Sequence, residues 1–112
     1  MTSVRINCSR GRILGFEMTG HSGYAEAGQD IVCAAISAIS QTAGLGIVEV
    51  LGIRADYRQD DARGQLRLSL PDTSDDRAEA ILRTMAAGLE NIHSQYPDFI
   101  RIMFFETEGS SQ

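Results

Sequence analysis

The segment that opens at Asp30 constrains the fold more than any other part of the chain. Ile31, Val32, Ala35, Ile36 and Ile39 recur at helical spacing. Small residues fill the other faces: Ala34, Ser37, Ala38, Ser40 and Ala43. A helix without a strongly polar face belongs in the middle of a fold, where small side chains let neighbours approach closely. Asp30 is a favoured N-cap residue, which would start the helix there. Gly44 and Gly46 weaken it, yet Ile47, Val48, Val50 and Leu51 extend the apolar pattern to about Gly52.

Strand-like alternation surrounds this segment. Val4, Ile6 and Cys8 alternate with polar neighbours, Ser9 to Arg12 supply a turn, and Leu14, Phe16 and Met18 alternate again. That is a β-hairpin. Ile53, Ala55 and Tyr57 then pair with Leu66, Leu68 and Leu70 across a turn at Asp60 to Gly64. Beyond Pro71, the acidic run from Asp72 to Asp76 suits the positive end of a helix. Ala78, Ile81, Leu82, Met85, Leu89 and Ile92 give that helix one apolar stripe, so it lies on the sheet with its other face in water. Pro97 ends it. Phe99 to Phe105 reads as a last strand, with Phe104 and Phe105 in the core. The order ββαββαβ predicts an α+β two-layer sandwich, an antiparallel or mixed sheet packed with two helices. One domain spans 1–112, with 106–112 as a loose tail; 112 residues suffice for one core and not for two.

Composition narrows the function. The net charge is −5 and every basic residue is an arginine, scattered along the sequence. Such a chain repels a phosphate backbone and suits a basic partner, so direct nucleic-acid binding is not expected. No apolar run of membrane-spanning length is read, and the start of the chain lacks the layout of a secretory signal. A cytoplasmic protein is expected. There Cys8 and Cys33 stay reduced. With two cysteines and two distant histidines, no metal-binding spacing is present and no cofactor is implied.

The segment from Thr19 to Gln29 holds three glycines and no periodicity, a long loop for so small a domain. Cys33 follows it in the first turn of the predicted helix, where unpaired amides and the helix dipole favour a thiolate and could form an oxyanion hole. A free cysteine there is otherwise a small core filler. His21, in the loop just before that helix, supplies the neighbouring base that a cysteine nucleophile needs. Its alternative is a solvent-exposed loop histidine. Asp30 either caps the helix or orients His21. Ser37, one turn after Cys33, either touches the sulfur or fills a helix contact. Tyr24 either meets substrate or anchors the loop. Cys8 is read as core, and His93 as structural.

Gly20-His21-Ser22-Gly23-Tyr24-Ala25, followed by Asp30-Ile31-Val32-Cys33-Ala34-Ala35-Ile36-Ser37, resembles the signature of the bacterial ribosomal-processing cysteine protease (Prp) family. That pattern is Gly-His, a loop, then Asp-x-x-Cys-x-x-x-Ser, met here at Gly20, His21, Asp30, Cys33 and Ser37. The resemblance implies removal of the N-terminal extension of the large-subunit ribosomal protein L twenty-seven. It implies Cys33 as nucleophile and His21 as base, with Gly20, Asp30 and Ser37 shaping the site. Ser22, Gly23 and Tyr24 would lie in a mobile loop over the substrate. A homodimer is also implied. The reading from a different class is a non-catalytic dimeric module that binds a basic ribosomal protein or assembly factor. A peroxide-reducing thiol protein is disfavoured, because Cys8 on a core-facing strand leaves no resolving cysteine.

Overall fold

The structure, a computed structural model, describes the chain over residues 1–20 and 27–107, with the backbone alone over 27–30. Strand β1 (Thr2–Ser9) turns into β2 (Arg12–Thr19). Helix α1 (Ala27–Leu45) follows, then a π-helical turn over Gly46–Val50. Next come β3 (Asp56–Asp60) and β4 (Gln65–Ser69), helix α2 (Asp76–Gln95) and β5 (Ile100–Thr107). The expected ββαββαβ order is what the structure shows. The five strands form one sheet in the order β3-β4-β2-β1-β5. It is mixed: β5 runs parallel to β1, while the other pairs are antiparallel.

Local chemistry accounts for the joints. Arg10 and Gly11 both have positive φ, the two-residue turn whose twist matches a hairpin. Leu51 donates to the Gly46 carbonyl (3.0 Å), which makes the helix end a π turn, and Gly52 at φ +67° stops it. Gly44, a weak helix former, is required by packing: a Cβ there would lie 2.5 Å from the Tyr57 ring. The carboxylate of Asp75 caps α2 by accepting from the amides of Arg77 and Ala78. The Arg77 side chain, hydrogen-bonded to the same carboxylate, is the main reason its pKa falls to about 2. A depressed carboxylate stabilises the fold above its unfolded pKa, so this cap persists on acidification until the pH approaches 2.

The helices cover one face of the sheet. Val4, Ile6, Ile13, Phe16, Leu66, Leu68 and Ile100 project into the space between, against Val32, Ile36 and Ile47 from the first helical segment and Leu82, Met85 and Leu89 from α2. Each such side chain contributes about 1.5–3 kcal/mol on burial. Ser40 sits fully buried in this layer, and its hydroxyl has no hydrogen-bond partner among the described residues. An unpaired buried hydroxyl costs about 1–3 kcal/mol. Ser40→Ala is therefore expected to stabilise the protein by about 1 kcal/mol in urea titration, helped by alanine's helix propensity.

Several expectations are corrected. Helix α1 begins at Ala27, three residues before Asp30, so Asp30 lies within the helix and does not cap it. Nor is α1 enclosed on all sides. Ile31, Leu45 and Val50 are 73%, 50% and 79% exposed, and Ala34, Ala35, Ala38 and Thr42 share that face. A single helical layer on one side of a sheet covers only the side of α1 that meets the sheet and α2. The stretch Ile31–Val50 is also long and apolar enough to cross a membrane by length and composition, with mean hydropathy 1.8. It instead docks on the sheet through Val32, Ile36, Ala43 and Ile47. Phe104 and Phe105 are 45% and 39% exposed and do not lie in the core. Strand β5 is at the sheet edge, and Phe105 packs under the Arg5 guanidinium, 4.0 Å from its ring centre. That strand extends to Thr107, two residues into the segment read as tail.

Candidate active site

Cys33 is the seventh residue of α1, counting from Ala27. It lies a turn beyond the amides that a helix start leaves unpaired. The expected oxyanion hole from first-turn amides beside Cys33 is therefore not formed by its own amide, which belongs to the helical ladder. The dipole that favours a thiolate also weakens beyond the first turn.

What the fold provides is a cleft. Cys33 is half-buried and lines a cavity of about 200 Å³. Ser37 and Gln41, one and two turns later, share its side of the helix and line the same cavity. Thr2 from the start of β1 and Gly20 from the end of β2 form another wall. Gln59, Asp61, Gly64 and Gln65 come from the β3–β4 hairpin. Pairing of Thr19 with Gln65, and of Leu66 with Met18, brings this hairpin to the cysteine. The amide of Gly20 donates to the Gly64 carbonyl at 2.7 Å and fixes the chain just before His21.

The sulfur of Cys33 lies 3.3 Å from the hydroxyl oxygen of Thr2. Thr2 was missed by sequence reasoning, although it shares strand parity with Val4, Ile6 and Cys8. A lone polar residue on an inward-facing row is the signal that could have marked it. Gln41, two helical turns after Cys33, was missed as well, as were Gln59, Asp61 and Gln65, which reach the cleft only through the sheet register. Of the predicted residues, Cys33, Ser37 and Gly20 come together. Asp30 precedes Cys33 by three positions on α1, and only its backbone is described. His21, Ser22, Gly23 and Tyr24 lie outside the described residues.

Cys8 contrasts with Cys33. It faces the core at 7% exposure, and burial pushes its thiol pKa up, which disfavours the thiolate that nucleophilic chemistry needs. His93 is exposed in the last turn of α2.

An accessible thiol on a helix, facing a cleft lined with hydroxyl and amide groups, is the arrangement of a thiol hydrolase. The chain belongs to the family described as cysteine protease Prp, which it matches over residues 1–101. It is 34% identical over 94 residues to the ribosomal processing cysteine protease Prp of Staphylococcus aureus (strain Mu50 / ATCC 700699), covering 84% of this chain and 89% of that one. It is 32% identical over 94 residues to the protein of the same name from Bacillus subtilis (strain 168), covering 80% and 84%. The crystal structure of Prp from S. aureus in complex with a substrate peptide superposes with a TM-score of 0.86 at 32% identity, over 93% of this chain and 99% of that one. A second S. aureus structure, with a covalently linked product peptide, gives a TM-score of 0.82 at 33% identity, over the same shares of the two chains.

Proposed function

We propose that this cysteine protease removes the N-terminal extension of ribosomal protein L twenty-seven, with Cys33 as nucleophile and His21 as base. The observation that carries the reading is the placement of the sulfur: Cys33 opens on a cleft that also holds the Thr2 and Ser37 hydroxyls and the Gln41, Gln59 and Gln65 amides, while Cys8 is buried in the core. The names of the S. aureus and B. subtilis relatives support a ribosomal substrate, and the covalently linked product peptide in the S. aureus structure supports attack by an enzyme side chain. The net charge of −5 suits a basic substrate.

His21 takes the thiol proton, and the sulfur attacks the scissile carbonyl carbon. The C–N bond breaks as the imidazolium returns the proton to the departing amine, leaving a thioester on Cys33. Water, deprotonated by His21, then attacks the thioester. The carboxylate product leaves and the thiol is regenerated. The side-chain amides of Gln41, Gln59 and Gln65 offer both donors and acceptors, suited to the backbone of an extended peptide.

The reaction belongs to the cytoplasm, where ribosomes assemble. Two copies associate through the exposed face of α1, where Ile31, Ala38, Leu45 and Val50 form an apolar strip beside a groove of about 590 Å³ between α1 and α2. Val50→Asp is expected to shift the mass measured by light scattering from dimer to monomer. A dimer unchanged by Val50→Asp together with Ile31→Glu would place the interface elsewhere.

The test of the activity is mass spectrometry of the protein incubated with the extended N-terminal peptide of its own organism's L twenty-seven. One cleaved bond is expected. An intact peptide beside a folded enzyme that cleaves other peptides would overturn the substrate assignment.

A further inference from the structure

We infer that Thr2 is a catalytic residue whose hydroxyl donates a hydrogen bond to the Cys33 sulfur and stabilises its anionic, attacking form. The inference rests on the reading of Cys33 as nucleophile.

The inward row of β1 is Thr2, Val4, Ile6 and Cys8, and all four are buried. Threonine and valine have nearly the same shape, so a hydroxyl at the buried end of an otherwise apolar row carries a desolvation cost unless it is paired. Thr2 is 3% exposed, and its hydroxyl lies 3.3 Å from the Cys33 sulfur. The thiol can donate to the threonine oxygen. Once the thiol has lost its proton, the hydroxyl can turn and donate to the anion. The pair thus stays bonded in both states, and the bond to the charged state is the stronger.

The backbone keeps the hydroxyl in place. The amide of Thr2 donates to the Phe99 carbonyl at 3.1 Å, and Thr2 pairs in register with Ile100 of β5. On its other side is Gly20, where a Cβ would lie 3.5 Å from the Thr2 hydroxyl oxygen. Thr2 therefore stands between the residue that precedes His21 and the sulfur itself. Asp61, from the β3–β4 turn, is the charged group among the described residues lining this cavity, and Asp30 precedes Cys33 on α1. Their charges are common to all Thr2 variants and cancel in a comparison.

The experiment measures iodoacetamide labelling of Cys33 against pH, with the labelled peptide identified by mass spectrometry, beside cleavage kinetics over the same range. In Thr2→Val the pH of half-maximal labelling is expected to rise by about one unit, as loss of a hydrogen bond to a charged group implies. Cleavage should fall about tenfold near neutrality and recover at higher pH, whereas a packing defect would lower it at every pH. Thr2→Ser should follow the wild type. If Thr2→Val does not fold, Thr2→Ala gives the same comparison. Labelling profiles that coincide in wild type and hydroxyl-free variants would overturn the inference, as would a shift equally large in Thr2→Ser. Cleavage undiminished by Cys33→Ala would remove the nucleophile, and with it any catalytic role for Thr2.

Discussion

Cys33→Ala is expected to lower peptide cleavage by at least ~10³-fold while leaving the fold intact, because a nucleophile that forms the covalent intermediate has no substitute. The alanine removes one sulfur from a half-buried position and leaves α1 a good helix former there. Thermal unfolding should therefore change little. His21→Ala should lower cleavage by roughly 10²–10⁴-fold, the range for loss of a general base. Its effect should be less than additive with Cys33→Ala, since the two act in one proton transfer. The informative contrast is Cys8→Ala. Cys8 is 7% exposed among core side chains, so its loss should lower stability and leave kcat of the folded fraction unchanged. Single-turnover cleavage with intact-mass detection reads both points: a covalent adduct on Cys33 should form in Cys8→Ala and be absent in Cys33→Ala. Cleavage by Cys33→Ala at the wild-type rate would end the assignment of the nucleophile.

The elements that pattern alone could fix are those with one wet face. The stripe from Ala78 to Ile92 names the buried side of α2 because Glu79, Arg83, Thr84, Glu90 and Asn91 stand between its members, and Ala78, Leu82, Met85 and Leu89 are buried as that stripe requires. Beyond Asp30, and apart from Gln41, α1 is small or apolar on every side, so periodicity cannot say which side the fold covers, and Ile31 in α1 and Val50 in the turn after it emerge in solvent. Its start was obscured because Ala27, Gly28 and Gln29 carry no hydrophobic period, so the first turn resembles loop. Phe104 and Phe105 were misplaced for another reason. Strand order sets which strand lies at the edge, and order depends on long-range pairing that no local window contains. The site divides along the same line. Cys33, Gly20 and Ser37 stand in a spaced motif within one stretch of chain. Thr2, Gln59 and Gln65 reach the cleft only through the sheet register, so nothing near them in sequence marks them.

Gly64→Ala is expected to lower cleavage about 100-fold, although residue 64 touches no group in the proposed chemistry. Gly64 sits at φ +64°, a conformation that costs a residue with a Cβ about 1–2 kcal/mol. Its Cβ would also lie 2.7 Å from the Gly20 carbonyl oxygen and 3.2 Å from the carbonyl carbon. Those are backbone atoms at the end of β2 and cannot swing aside. The Gly20 amide to Gly64 carbonyl bond must then stretch, and Gly20 must move away from Thr2 and Cys33. The residue directly after Gly20 is His21, so the displacement passes straight to the proposed base. A shift of about 1 Å in a positioned group can cost about 100-fold in rate. Gly11→Ala separates the two causes. Gly11 has a similar φ, +77°, at the far end of the β1–β2 hairpin, and among the described residues, its two chain neighbours aside, no atom lies within 4 Å of its Cβ position. It should show the backbone strain as a Tm lower by about 4–8 °C per kcal/mol, with kcat/KM unchanged. Gly64→Ala should show a comparable or larger fall in Tm together with the loss of cleavage. Equal activity in the two folded variants would show that the Gly20–Gly64 contact only braces the sheet and does not position the site.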